Sequence, residues 1–346
     1  MAMIHKNGRN LGVSLVVSAA LALTSVSVVA GPISFSDIYV FGDSLSDTGN
    51  TRSQVPFGSL GPVAASVGYG PNGRFSNGPV WHEYLADALG TQRATNSTGG
   101  GNNFAYGGAR IDKAVGPSAG LLTQNTQYFN RQAGAPSDPD ALFVAWAGGN
   151  DMRDLVGNAD PLAAVNAQLN SWFDMLGGLL DDGVKTLLVP NLPDLGSIPE
   201  FRTGPDSLSG TAVSTAWNQG LEQGLYELNK TTDASIFYFD VFGLFNNLLN
   251  DPNAFGFTNT TGECRSVVVV IFVPSEQSCQ NPGEFVFWDQ IHPTTAAHDY
   301  LGKQAYQLLL SGNSIAKVPE PMSLALLLLG ITGLWGRRFL KYSRRL

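Results

Sequence analysis

The stretch Tyr39-Val40-Phe41-Gly42-Asp43-Ser44-Leu45-Ser46-Asp47-Thr48-Gly49-Asn50 is the one around which the rest of the 346-residue chain is arranged. Ahead of it, Ile33 to Phe41 is rich in β-branched and aromatic residues and reads as a strand. Behind it the composition changes to Gly, Asp, Ser and Asn, the residues of turns and helix caps. A buried strand that ends in a small-residue turn delivers its last side chains to the carboxyl edge of a sheet, where open α/β folds place their sites. Ser44 falls at that edge.

A serine there needs a base, and the chain contains only four histidines: His5, His82, His292 and His298. His5 lies in an expected leader. His82 and His298 fall on expected helices and read as packing or surface residues. His292 stands in Asp289-Gln290-Ile291-His292-Pro293-Thr294, three positions after an aspartate. An aspartate so placed can hold the imidazole in the tautomer that accepts a serine proton. The proline after His292 disfavours helix there, and Thr294 or Thr295 suits the cap of a following helix.

Phe41-Gly42-Asp43-Ser44-Leu45-Ser46-Asp47 resembles the nucleophile block of the GDSL (SGNH) hydrolases, and three more blocks follow in that family's order. Asn103-Phe104-Ala105-Tyr106-Gly107-Gly108-Ala109 resembles the glycine block, Ala147-Gly148-Gly149-Asn150-Asp151 the asparagine block, and Asp289 to Pro293 the acid–base block. The resemblance spans about residues 35–312. It implies an ester hydrolase (esterase, lipase or phospholipase) with Ser44 as nucleophile, His292 as base and Asp289 orienting it. The oxyanion donors would be the Ser44 N–H, the Asn150 amide and the Gly107 N–H, with Gly108 the alternative to Gly107. Neither metal nor organic cofactor is implied. The rival readings are a non-catalytic envelope or matrix binding protein on the same fold, a carbohydrate-ester deacetylase, and a peptidase using the same residues. Gly116-Pro117-Ser118-Ala119-Gly120 also fits a G-x-S-x-G elbow, but its lead-in carries two charges and a weak apolar run, so Ser118 reads as a loop serine.

Strand-like runs at Phe104–Gly107, Ala141–Ala147, Lys185–Val189 and Ile236–Val241 alternate with helical periodicity at Ala163–Leu180, Val213–Asn229 and Thr294–Leu310. Such alternation predicts a three-layer α/β/α domain with a parallel central sheet, and the resemblance makes it flavodoxin-like. Thr51–Ser76, rich in Gly and Pro, reads as an insertion over the site. Asp251–Glu284 reads as a second, irregular insertion. Phe285, Phe287 and Trp288 are expected either to line an acyl pocket or to pack in the core.

The two ends read differently from this body. Lys6 and Arg9 precede an uncharged stretch, Leu11 to Ala30, that closes on Val28-Val29-Ala30, the pattern of a cleaved signal peptide over residues 1–30. At the other end Val318-Pro319-Glu320-Pro321 leads into a short apolar segment and then Arg337, Arg338, Lys341, Arg344 and Arg345. A bilayer span takes roughly 17–25 residues, so this segment is short, and the basic cluster predicts a cytoplasmic terminus. Residues 318–346 resemble a PEP-CTERM sorting signal, which implies brief membrane contact, removal by an exosortase-type peptidase, and a mature domain of residues 31–317.

Of 20 Lys and Arg, two lie before residue 31 and five after Val318, leaving 13; of 28 Asp and Glu, only Glu320 lies in the tail, leaving 27. The body is therefore near −14, which argues against nucleic acid as a partner. The chain's two cysteines, Cys264 and Cys279, are expected to form a disulfide in an oxidising compartment. The expected location is the cell envelope or the medium, and the expected partner is a small-molecule, lipid or carbohydrate ester.

Overall fold

Strand β1, Ile38–Gly42, lies at the centre of the sequence pattern and takes its place in a four-stranded parallel sheet. The computed structural model describes residues 33–54, 68–69, 73–112, 118–270 and 273–315, with the backbone alone for 267–270 and 273–276. The expected leader and sorting tail lie outside these residues, as does much of the Gly/Pro stretch after Gln54.

After β1 come α1 (Asn50–Ser53), α2 (Trp81–Leu89), α3 (Leu121–Gln132), β2 (Leu142–Trp146), α4 (Gly149–Leu155) and α5 (Leu162–Asp181). Then follow β3 (Thr186–Pro190), α6 (Ser207–Asn229), β4 (Ser235–Phe239) and α7 (Val241–Asn250). The chain continues through β5 (Asn259–Glu263), β6 (Arg265–Val270), β7 (Val273–Ser278), β8 (Phe285–Phe287) and α8 (Thr295–Ser311). The sheet order is β1-β2-β3-β4, all parallel. Ile38 pairs with Leu142, Leu142 with Thr186, and Thr186 with Ser235, so the strands start in one row. Their carboxyl ends therefore share an edge, and the turn after each strand emerges beside the others.

Strand side chains alternate between faces, which sorts the core into two layers. Phe41, Phe143, Ala145 and Leu187 pack with Tyr128 of α3, Trp172 and Leu176 of α5, and Trp217 and Leu221 of α6. Ile38, Val40, Leu142 and Val144 pack with Trp81 and Leu85 of α2 and Leu301 and Leu309 of α8. Strand β2 is buried at every residue, as a strand covered on both faces must be. The fold is the expected three-layer α/β/α arrangement.

Two local expectations differ. Phe104–Gly107 does not form a regular strand. The segment runs along β1, with the Val40 N–H donating to Asn102, Phe104 to Val40 and Tyr106 to Gly42, but only Asn103 makes a bridge. Asn103 Oδ1 takes the Ala105 N–H at 2.8 Å, so the side chain substitutes for a ladder bond and bends the segment inward. The insertion Asp251–Glu284 is more ordered than expected, because β6 and β7 form an antiparallel hairpin and β5 pairs with β8. The Val267–Val270 run favours that hairpin. Cys264 and Cys279 close its open end with a disulfide, as expected.

Candidate active site

Three loops at the carboxyl edge of the sheet and one loop before α8 meet around Ser44. Directly after β1 the chain turns tightly. The Ser46 and Asp47 N–H groups donate to the Asp43 carbonyl, and Leu45 N–H donates to Asp43 Oδ1 at 3.0 Å. This turn presents the Ser44 hydroxyl to the loop before α8. There Asp289 Oδ1 accepts the N–H groups of Ile291 at 2.8 Å and His292 at 2.7 Å, an Asx-type turn that carries the imidazole back over its own carboxylate. Thr294 then caps α8 through the Ala297 N–H.

The side chains form one hydrogen-bonded line. Ser44 Oγ lies 2.8 Å from His292 Nε2, and His292 Nδ1 lies 2.7 Å from Asp289 Oδ2. A carboxylate only accepts, so Nδ1 carries the proton and Nε2 is left to receive one from the serine. Burial would push the Asp289 carboxyl up. The charge of His292 and the hydrogen bonds from His292, Tyr69 and Ile291 outweigh it and hold the group well below the usual carboxylate range. All three residues are nearly enclosed.

The Asn150 amide reaches the same place from the start of α4. Gly148 precedes that helix with φ 98°, a conformation that favours glycine, and a Cβ there would come within 2.5 Å of the Trp217 ring. Asn150 sits inside the first turn rather than capping it. Its Nδ2 donates to the Ala109 carbonyl at 3.0 Å and makes a long 3.4 Å contact with Asp43 Oδ2. Burial raises the Asp43 carboxyl to about 6, against opposing hydrogen bonds and the charges of His292 and Arg153.

Gly107 is placed differently from its expected role. Its N–H points into the fold, donating to Asp47 Oδ2 at 2.9 Å and Thr51 Oγ1 at 2.7 Å. The cause is the buried Asp47 carboxylate, which also takes the N–H groups of Gly49, Asn50 and Thr51. Gly108, by contrast, turns with φ 73° in the tight turn closed by the Ala109 N–H on the Tyr106 carbonyl.

The remaining candidates are structural in geometry. Ser118 Oγ is buried and donates to the Gly107 carbonyl. His82 is fully buried with Nε2 against the Ser46 carbonyl at 2.9 Å. His298, equally buried, accepts the Trp81 N–H at 3.3 Å. Phe287 lines the cleft beside Ser44, whereas Trp288 and Phe285 pack around Tyr69 and the disulfide.

That cleft is partly open to solvent, and Ser44, Asn150 and His292 are among the residues that line it. Its walls are Leu192, Leu195, Ile198, Phe245, Leu248 and Phe287. Arg153 in its lining is paired in two-point fashion with Glu200 at 2.7 and 2.8 Å. Two residues beside the centre escaped the sequence reading. Tyr69 donates its hydroxyl to Asp289 Oδ2. Asn50 ties the glycine block to the nucleophile turn through the Asn103 and Ala105 carbonyls. Neither has a spacing that marks it; Tyr69 lies within the Gly/Pro stretch, where no periodicity points to a partner.

The sequence pattern of the GDSL-like Lipase/Acylhydrolase family matches residues 38–305. A phosphatidylcholine-sterol acyltransferase of Aeromonas hydrophila is 30% identical over 324 residues, covering 82% of this chain and 93% of that protein. A GDSL esterase/lipase of Arabidopsis thaliana is 28% identical over 348 residues, covering 88% and 92%. The solved aryl esterase of M. smegmatis aligns with 80% of this chain and 98% of its own at 16% identity and a TM-score of 0.43. With its four sequence blocks gathered at one sheet edge and the family pattern covering that whole region, the chain belongs to the GDSL-like lipase/acylhydrolase family and is a carboxylic ester hydrolase.

Proposed function

We propose that the protein is an exported serine esterase or lipase that works through an acyl-enzyme at Ser44. The observation that carries this reading is the continuous line Ser44–His292–Asp289, whose Ser44 and His292 line an apolar cleft. His292 Nε2 takes the Ser44 proton as Oγ attacks the ester carbonyl. The tetrahedral intermediate collapses, and the departing alkoxide recovers that proton from His292. Water then repeats the sequence on the acyl-enzyme and releases the acid. The developing oxyanion is held by the Ser44 N–H and by the Asn150 amide, whose long contact to Asp43 it displaces. The third donor is the Gly108 N–H rather than that of Gly107, since Asp47 and Thr51 already engage the latter. One such donor is worth roughly 3–4 kcal/mol in the transition state.

The apolar walls favour an acyl chain over a sugar ring, so lipid-like esters rank above acetylated carbohydrates as substrates. Export is supported by the disulfide and by the two terminal patterns. The mature domain would run from about Gly31 to about Lys317, with the tail removed after brief membrane contact by an exosortase-type peptidase. Turnover of short- and long-chain p-nitrophenyl esters, beside a casein digest and an acetylated xylan, tests the activity. Casein cleavage, xylan preference or no turnover would each replace this reading by one of its rivals. Intact mass of native protein tests the processing, and a mass that includes Met322–Leu346 would make the tail a permanent anchor.

A further inference from the structure

The Asp289 carboxylate has more partners than a serine–histidine line requires. Its Oδ1 is filled by the N–H groups of Ile291 and His292, and its Oδ2 by His292 Nδ1–H. The fourth donor is the hydroxyl of Tyr69, which reaches Oδ2 from a segment 220 residues away in sequence. Tyr69 is buried, and its ring is held on several sides. The Arg265 guanidinium lies 4.5 Å above it, Trp288 meets it edge-on at 6.1 Å, and Phe75 lies at 6.5 Å. Phe75 itself lies 5.2 Å from the His292 ring. Arg265 is fixed in turn, because its N–H donates to the Trp288 carbonyl and it follows Cys264 of the disulfide.

We propose that Tyr69 is a positioning residue for the hydrolytic reaction, holding Asp289 in the orientation and basicity that His292 needs, with its ring clamped by Arg265 beside the disulfide. The inference rests on the Ser44–His292–Asp289 reading above. An enclosed carboxylate with a free lone pair on Oδ2 can swing about its Cβ–Cγ bond and lose its line to Nδ1. Tyr69 occupies that lone pair. Its donated hydrogen bond also spreads the carboxylate charge, so Asp289 steadies the imidazolium formed during attack without holding its proton too firmly for return to the leaving group. Removing the hydroxyl leaves the carboxylate less firmly oriented and more of its charge on Oδ2 facing His292, which favours the protonated imidazole.

Tyr69→Phe keeps the ring and its contacts to Arg265, Trp288 and Phe75, so the fold persists while one hydrogen bond is lost. With p-nitrophenyl butyrate, kcat is expected to fall about tenfold while KM stays within about twofold. The acid limb of kcat/KM should move to higher pH. Among the described residues, the other ionisable groups that act on His292 are Asp43 after β1 and His298 on α8, with Arg153 of α4 acting on Asp43 and Arg265 of β6 over Tyr69. The substitution changes none of them, so the displacement of the limb reads the hydroxyl alone. Fluorotyrosine at position 69, a stronger donor of the same shape, should move the limb the opposite way, and it serves as the test if Tyr69→Phe folds poorly. Unchanged kcat and pH limb in both variants overturn the proposal, as does a loss of kcat with no movement of the limb. Ser44→Ala is measured in parallel. Residual turnover there would sink the underlying triad, whereas a dead Ser44→Ala beside a wild-type Tyr69→Phe sinks only this inference.

Discussion

His298 should make the folded state acid-sensitive by an amount that can be isolated. It sits in the first turn of α8, fully buried, with Nδ1 accepting the Trp81 N–H at 3.3 Å and Nε2 without a partner among the described residues. Protonation would bury a charge, set an N–H against an N–H donor, and place that charge at the positive end of a helix. Burial first, and then the charges of His292 and His82, push its pKa down to about 3, against the pull of Glu83. In the unfolded chain it titrates near ~6.5. Between those values the unfolded state binds more protons, so stability rises with pH there. The contribution is fully present above about pH 6.5 and is lost as pH falls towards the folded value. Each pH unit is worth about 1.4 kcal/mol, so about 2 kcal/mol should be gone by pH 5, provided only that the folded value lies well below 5.

Among the described residues, the buried carboxyls Asp43, Asp47 and Asp151 act in the opposite sense. Burial raises Asp43 and Asp151 to about 6, so their contributions favour the folded state at low pH and are lost as pH rises from about 4 to 6. The wild-type curve alone is therefore ambiguous, and a difference is needed. His298→Gln keeps an acceptor for the Trp81 N–H but cannot take a proton. Urea unfolding of both proteins at pH 7.5, 6 and 5 gives the test, with m-values compared to confirm the same transition. The loss of stability between pH 7.5 and 5 should be smaller in His298→Gln by about 2 kcal/mol. Parallel curves, whatever their vertical offset, would refute the reasoning.

Ser44→Ala should abolish ester turnover while the urea midpoint stays near wild type, whereas Ser118→Ala should keep the greater part of the activity because that hydroxyl serves the Gly107 carbonyl. The reverse ranking in initial rates would move the nucleophile to Ser118. Asn50→Asp sets an oxygen against the Asn103 and Ala105 carbonyls in a fully buried site and should cost about 3 kcal/mol in urea unfolding, and less than 1 kcal/mol would mean that the site relaxes or admits water. Leu248→Trp narrows the apolar cleft and should lower turnover of long-chain p-nitrophenyl esters at least about tenfold relative to acetate. An unchanged chain-length profile would place the acyl chain elsewhere.

Fold and centre were legible to different depths. The β-rich run into Phe41 and the alternation of apolar strands with helical periodicity announced a covered parallel sheet, since burial on both faces leaves an uninterrupted hydrophobic signature. Asp289 and His292 were legible because an Asx turn spans three residues and is local. A threonine cap at 294 or 295 was legible for the same reason, and the structure makes it Thr294. What depends on separations of tens to hundreds of residues was not. The edge segment at Asn103 loses its ladder to its own side chain, which propensity does not register. The Val-rich hairpin carried a strand signal, but only its pairing within a disulfide-closed loop made an ordered element of it. The direction of the Gly107 N–H was settled by Asp47, a buried carboxylate 60 residues earlier that gathers backbone donors because its charge has no water to satisfy it. Tyr69 reaches Asp289 across 220 residues for a similar reason. Local sequence marked the candidate reactive groups and most of the strands and helices of the α/β body. Only tertiary packing decided which polar atoms each buried charge would claim, because that competition is settled by whatever the folded chain brings within hydrogen-bonding distance.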